Sequence, residues 1–212
     1  MTRPTLLVGV CGTATEVGKT WVGAELARTL RAGGRSVAAR KPLQSFDPDD
    51  GQPTDAEILA SATGEPTTDV CPEARWYPIP MAPPMAAAAL GRSCPTLAEV
   101  ATSIVWPEQG VDVGLVETVG GVRSPLAEDG DSRELVRRLD VDAVVLVADA
   151  GLGTIDAVRG GVDSLAPLAV VVLLNRFDAA DDLHARNRSW LRDRDGFDVV
   201  TSVEHLAGRL VR

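Results

Sequence analysis

"GTATEVGKT", residues Gly12 to Thr20, decides the fold. An apolar run, Thr5 to Cys11, leads into it and reads as a buried strand. Beyond it, Val22, Leu26, Ala27 and Leu30 fall at helical spacing before Gly33 and Gly34 stop the pattern. Strand, glycine loop and helix in that order is the setting of a phosphate-binding loop. Backbone N–H groups at the helix start would hold phosphate oxygens, aided by the positive end of the helix dipole. The usual spacing is G-x4-G-K-[ST]. Here five residues, Thr13 to Val17, separate Gly12 from Gly18, so the loop is one residue longer. A nucleotide bound there would lie against Gly12, Thr13, Glu16, Val17, Gly18 and Trp21. Lys19 would reach its outer phosphates, and the Thr20 hydroxyl would coordinate Mg2+.

Working outward, short apolar segments alternate with amphipathic ones. Strands are expected at 36–40, 111–117, 142–149 and 166–175, with a last one at 197–201. Helices are expected at 54–62, 84–90, 96–106, 132–139, 154–164, 181–193 and 204–210. Residues 64–84, rich in Pro and Thr, read as irregular. This alternation predicts an α/β chain, P-loop-containing nucleotide hydrolase-like, with a mostly parallel sheet and helices on both faces. Neither a repeat nor a linker divides residues 1–212, so one ATP-binding domain is expected. Ligands in such a sheet bind beyond the carboxyl ends of the strands. Those ends are Gly12, Lys41, Glu117, Asp149 and Asn175.

The net charge of −9 argues against nucleic acid or an anionic membrane surface as partner. The longest apolar runs, Ala143 to Ala148 and Ala166 to Leu174, are strand-sized and too short to span a bilayer. "MTRPTLLVGVCG" reads as a first strand rather than a signal peptide. Cys11, Cys71 and Cys94 are widely spaced without a metal pattern, which fits reduced thiols in the cytoplasm. The triplet beginning at Asn187 reads as a chance glycosylation match. Nineteen arginines accompany only two lysines, Lys19 and Lys41, and each lysine stands at a strand end or in the loop. Lysine supplies a compact point charge for phosphate that the planar arginine fork does not replace.

Mg2+ asks for further oxygen ligands. Glu117 and Asp149 both end strands, and Asp55 opens a helix; the residues alone do not choose among them. Asp47, Asp49 and Asp50 read as a solvated turn. His184 and His205 have no visible partner and read as surface, whereas Trp190, at helical spacing from Leu183 and His184, reads as core.

With the loop, Lys41, Asp55 and Glu117 in order, the chain resembles the dethiobiotin synthetase family over roughly residues 5–178. That family carries the longer loop spacing with the "TEVGKT" ending of Thr15 to Thr20. "KPLQS" (41–45) resembles its K-P-x-x-[ST] segment, and "TDAEIL" (54–59) its acidic helix start. "PMAPPMAAAA" (80–89) is similar to its substrate-covering segment, "LVETVGG" (115–121) to L-V-E-G-A-G-G, and "GLGTID" (151–156) to x-L-G-x-[IL]-N. The resemblance implies ATP- and Mg2+-dependent conversion of a diamino acid, 7,8-diaminopelargonate, and CO2 into a cyclic urea in a cytoplasmic homodimer. It implies that Lys19 and Lys41 stabilise a carbamate and the transferred phosphoryl group. Thr20, Asp55 and Glu117 would hold Mg2+, which favours Glu117 over Asp149. Gly120, Asn175 and Arg176 would complete the nucleotide site, with Asn175 reading adenine and a further loop near Thr201 to Val203. Glu16, Lys41, Ser45, Thr118 and Asp156 would line the substrate.

Two departures stand out. Thr118 and Val119 replace glycine and alanine beside the phosphates, so the added bulk is expected to shift the ligand. Asp156 replaces an Asn that in the family helps bind the substrate carboxylate across a dimer interface, and two carboxylates in contact repel. Either Asp156 only caps its helix, or the chain is a diverged paralogue whose substrate lacks that carboxylate. Rival readings are a partitioning-type ATPase switch, which carries a second lysine where Ala14 stands here, and a degenerate nucleotide binder. The cobyrinate-amidating group needs a glutaminase domain for which 212 residues leave no room.

Overall fold

A computed structural model describes residues 2–211. From β1 (Leu6–Gly12) the chain passes through the glycine loop into α1 (Lys19–Ala32), β2 (Val37–Arg40) and the short β3 (Gln44–Ser45). Next come α2 (Asp55–Thr63), the single turn α3 (Thr67–Val70), β4 (Trp76–Tyr77), α4 (Pro83–Ala89) and α5 (Leu97–Thr102). The middle of the chain holds β5 (Val113–Glu117), the hairpin strands β6 (Pro125–Ala127) and β7 (Gly130–Asp131), and α6 (Ser132–Arg138). It ends with β8 (Ala143–Asp149), α7 (Thr154–Leu165), β9 (Val170–Asn175), α8 (Asp182–Ser189), β10 (Asp198–Val200) and α9 (Val203–Leu210).

Six strands form one parallel sheet in the order β10-β9-β8-β1-β5-β2. Alternate side chains of β1 face opposite layers, as the pleat requires. Val8 and Val10 pack with Leu26 of α1, Leu59 of α2 and Leu206 of α9. Leu7 and Cys11 pack with Val136 of α6 and Val158 and Leu165 of α7. Burial on both faces explains why these strands read as continuous apolar runs. The chain moves from β1 to β2 on one side, then from β5 to β8 on the other. That reversal beside β1 opens a crevice at the carboxyl ends, where a ligand site is expected in a sheet of this kind.

Some expected boundaries move. The 96–106 helix stops at Thr102, because Pro107 pushes Trp106 out of helical geometry. Trp106 is buried instead, close against Gly114, where a side chain would collide with its ring. The 166–175 strand begins only at Val170, after Pro167 has removed a ladder donor. Residues 64–84 are not all irregular: they contain α3 and β4 and open α4. The 181–193 helix widens after Ser189 into a π turn at Trp190–Arg194. That turn buries Leu191 and leaves Trp190 44% exposed beneath the Arg194 guanidinium, so Trp190 is not core. The pairs β3–β4 and β6–β7 had no sequence signal, being two or three residues long. Leu43, Tyr77, Leu97, Leu126 and Leu135 hold them in a separate apolar cluster. Among the described residues no helix is long and apolar enough to cross a membrane.

Candidate active site

β1 ends at Gly12, and the Thr13 N–H donates to Val147 O on β8 at 2.9 Å, anchoring the loop to the sheet. Glu16 adopts φ +61°. A non-glycine residue held in that region costs on the order of 1–3 kcal/mol. Gly18, at φ +92°, starts α1, and any Cβ there would strike the Asn175 amide. Asn175 Nδ2 donates to Val17 O at 2.9 Å, so the end of β9 is tied directly to the loop. Lys19 Nζ reaches across the loop to Ala14 O at 3.2 Å. Burial, and then the nearby Lys41, push the Lys19 ammonium below the usual lysine range.

Lys41 follows β2 and is 2% exposed. Its Nζ lies 2.7 Å from Asp55 Oδ2 and 2.6 Å from Glu117 Oε1, and 3.3 Å from the Thr118 carbonyl. Thr20 Oγ1 lies 2.7 Å from Asp55 Oδ1 and 2.9 Å from Glu117 Oε1. Four segments, distant in sequence, thus meet at one point. Burial works against the Lys41 ammonium, but Asp55 and Glu117 outweigh it and hold the group above the ordinary range. Burial likewise opposes the Asp55 carboxylate, while Lys41 and Thr20 hold it below the usual range. For Glu117 burial prevails over Lys41 and raises its pKa.

These oxygens suit a hard divalent cation. Glu117 Oε2 is buried without a hydrogen-bond partner, an orphan acceptor of the kind a cation satisfies. Among the described residues no group of three or more His, Cys, Asp or Glu could hold a metal.

A cavity of about 660 Å³ opens on the other side of Gly18. Trp21, Glu25, Thr29, Asn175, Arg176, Phe177 and the segment Thr201 to Glu204 line it. This brings the segment near Thr201 to Val203 beside Asn175. Asn175 spends its Nδ2 on the loop, and among the described residues no donor reaches its Oδ1. The indole of Trp21 is 54% exposed at this cavity. Glu25, Thr29, Phe177 and Glu204 were missed in the sequence; the first two recur at helical spacing after Trp21, the only signal available.

A family model described as "AAA domain" matches residues 7–207. A protein of Phenylobacterium zucineum described as an ATP-dependent dethiobiotin synthetase is 40% identical over 152 residues, covering 69% of this chain and 64% of that one. Its Caulobacter vibrioides counterpart is 38% identical over 81% of each chain, and that of Haloferax mediterranei 35% over 95% of this chain and 85% of its own. The chain belongs to the dethiobiotin synthetase family. Among solved structures it is similar to the septum site-determining protein MinD of Pyrococcus horikoshii, complexed with Mg-ADP, with 18% identity and TM-score 0.50 over 92% of this chain and 79% of that one. It is also similar to chloroplast FtsY of Physcomitrella patens, with 17% identity and TM-score 0.55 over 96% and 61%. At that identity the likeness concerns the fold, which is the P-loop α/β architecture the loop predicts.

Within this family member the remaining site residues separate. Thr118 is fully buried, and its hydroxyl donates to Val10 O at 3.3 Å. Val119 packs into the satellite cluster. Thr118 is thus buried in the core, while Val119 is partly buried against that cluster. Gly120 turns at φ +55° after them. Ser45 lies on β3 with its Oγ buried and unpartnered. Asp156 is exposed on the first turn of α7. Asp149 does not join the Thr20 cluster: it accepts from Gly151 N at 2.8 Å and from Arg176 at 3.2 Å. His184 is not bare surface, since its Nδ1 accepts the Asp178 N–H at 3.0 Å and its ring lies 6.0 Å from Phe177.

Proposed function

We propose that this chain catalyses the ATP- and Mg2+-dependent ring-closing carboxylation of 7,8-diaminopelargonate with CO2 to dethiobiotin. The observation that carries this reading is the convergence of Lys41, Thr20, Asp55 and Glu117 within hydrogen-bonding distance at the mouth of the phosphate loop, in a member of this family. One amine takes up CO2 as a carbamate. The γ-phosphoryl group of ATP passes to a carbamate oxygen. The second amine then attacks the carbamoyl carbon, phosphate leaves, and the ring closes.

Transfer between two anions needs positioning and charge neutralisation more than a strong base. Lys19 and Lys41, both buried, would supply positive charge to the reacting phosphoryl group. Lys41 keeps its proton at any physiological pH, because Asp55 and Glu117 hold it. Thr20, Asp55 and Glu117 would hold Mg2+, which when bound neutralises charge gathering on the phosphates. Glu16 and Ser45 would meet the substrate amines. The base would enter the cavity lined by Trp21, where Asn175 Oδ1 can accept from an exocyclic amine.

The reading includes one ATP-binding domain and a cytoplasmic homodimer. Exposed Asp156 on the first turn of α7 supports a second reading, a paralogue whose substrate lacks the carboxylate. Tight binding of diaminopelargonate that does not improve in Asp156→Asn would remove it. The first experiment is incubation with 7,8-diaminopelargonate, bicarbonate and Mg-ATP, with mass spectrometry for dethiobiotin. Product that vanishes in Lys41→Ala is expected; no product from a protein that binds ATP would sink the primary reading.

A further inference from the structure

We propose that Arg176 is a positioning residue that sets the phosphate loop: its guanidinium, braced by Asp149, holds the Glu16 carbonyl and with it the left-handed turn that aims the loop's N–H groups. This rests on the nucleotide site proposed above.

Among the described residues three non-glycine residues have positive φ, and two of them, Glu16 (φ +61°) and Arg176 (φ +55°), touch each other across the sheet end. A left-handed non-glycine residue persists only where its surroundings over-determine it. Arg176 Nη2 donates to Glu16 O at 3.0 Å, and its neighbour Asn175 donates to Val17 O at 2.9 Å. Successive residues at the end of β9 therefore grip successive carbonyls of the loop. A trans peptide points its N–H opposite to its C=O. Pulling the carbonyls of Glu16 and Val17 toward β9 turns the N–H groups of Val17 and Gly18 away from it. Among the described residues neither N–H has a hydrogen-bond acceptor. Two unpaired donors held side by side are what a phosphate oxygen requires.

Asp149 completes the clasp. Its Oδ1 accepts Gly151 N at 2.8 Å, which fixes the carboxylate, and its Oδ2 receives Arg176 Nη1 at 3.2 Å. The two side chains are 61% and 50% exposed, so the pair adds little to global stability. Its effect is confined to the shape of the loop. That separates a positioning role from a merely structural one.

The test is calorimetric titration of Mg-ADP, Mg-ATP and adenosine into the wild type, R176M, D149N, E16G and the R176M/E16G double variant, beside melting curves and turnover. R176M should weaken ADP and ATP by the same factor, about tenfold, the loss of a charge-assisted hydrogen bond. Adenosine affinity and the melting temperature should stay unchanged, and kcat should fall far less than KM for ATP rises. D149N should lose about threefold on both nucleotides, as a weak exposed pair allows. Glycine adopts the left-handed turn unaided. In the E16G background R176M should therefore cost less than about twofold.

Unchanged ADP affinity in R176M overturns the proposal. So does a larger loss for ATP than for ADP, which would place Arg176 on the γ-phosphate, or a loss for adenosine, which would place it on the base. An undiminished penalty in the E16G background also overturns it, since that marks direct phosphate contact. Should R176M fail to fold, unchanged nucleotide affinity in D149N is decisive. A wild-type chain that binds no nucleotide ends the functional reading together with this one; a wild type that binds ADP beside an unaffected R176M ends this one alone.

Discussion

Glu117 and Asp149 end the two strands that flank β1, and in the sequence they look alike. In the structure they belong to different chemistry. The Glu117 side chain is 1% exposed and lies against Lys41 and Thr20. That of Asp149 is 50% exposed and faces Arg176 and the Gly151 N–H. The strand end brings each acid to the crevice, but what stands across from it decides its role. β2 and α2 deliver Lys41 and Asp55 to the β5 side; β9 delivers Arg176 to the β8 side.

The largest effect should break this symmetry openly. Glu117→Ala is expected to lower kcat by about 10²–10³, the usual cost of removing one element of preorganised electrostatics. Asp149→Ala should change kcat by less than about fivefold and act on nucleotide KM, as the loss of an exposed ion pair allows. Steady-state kinetics of both variants settle the matter. Comparable losses in kcat would mean that the two acids share one function and that the assignment of the metal site to Glu117 is wrong.

Much of this was legible beforehand. The loop and the parallel sheet follow from local patterns: apolar runs, helical spacing, and charged residues at strand ends. Those patterns left Glu117, Asp149 and Asp55 open as partners of the loop, and only the family resemblance chose Asp55 and Glu117. Three things were not legible. Trp190 sits at core spacing, yet a π turn rotates it outward, and periodicity cannot register a change of pitch. The direction of the Thr118 side chain depends on whether its hydroxyl finds Val10 O, a partner on another strand. The Asn175–Arg176 grip joins residues about 160 apart, which leaves no trace in local spacing.

A second, smaller effect sharpens the comparison at the β9 side. Gly18→Ala adds a Cβ where φ is +92° and the Asn175 amide already stands. The substitution should destabilise the protein by about 2 kcal/mol and weaken ADP binding, because Asn175 must yield its bond to Val17 O. Denaturant unfolding with and without ADP measures both. A variant that keeps full stability and affinity would show that β9 does not hold the loop.

The smallest expected effect concerns stability alone, and its sign is the informative part. Burial raises the Glu117 pKa despite Lys41, and Glu117 Oε2 has no partner. A group whose folded pKa is raised contributes stability that is full below its unfolded pKa and is lost as pH rises through the folded value. Without Mg2+, the ionised wild-type side chain is therefore a burden near neutrality, whereas Gln at the same position does not titrate. Glu117→Gln should melt higher than the wild type at pH 8, with the gap narrowing as the pH is lowered to 5. Asp149→Asn, half exposed, should change melting by no more than about 0.5 kcal/mol. Thermal unfolding in chelator across that pH range reads both. If Glu117→Gln melts lower at neutral pH, the Lys41 pair is worth more than the burial of the carboxylate costs, and Glu117 is held chiefly by its lysine.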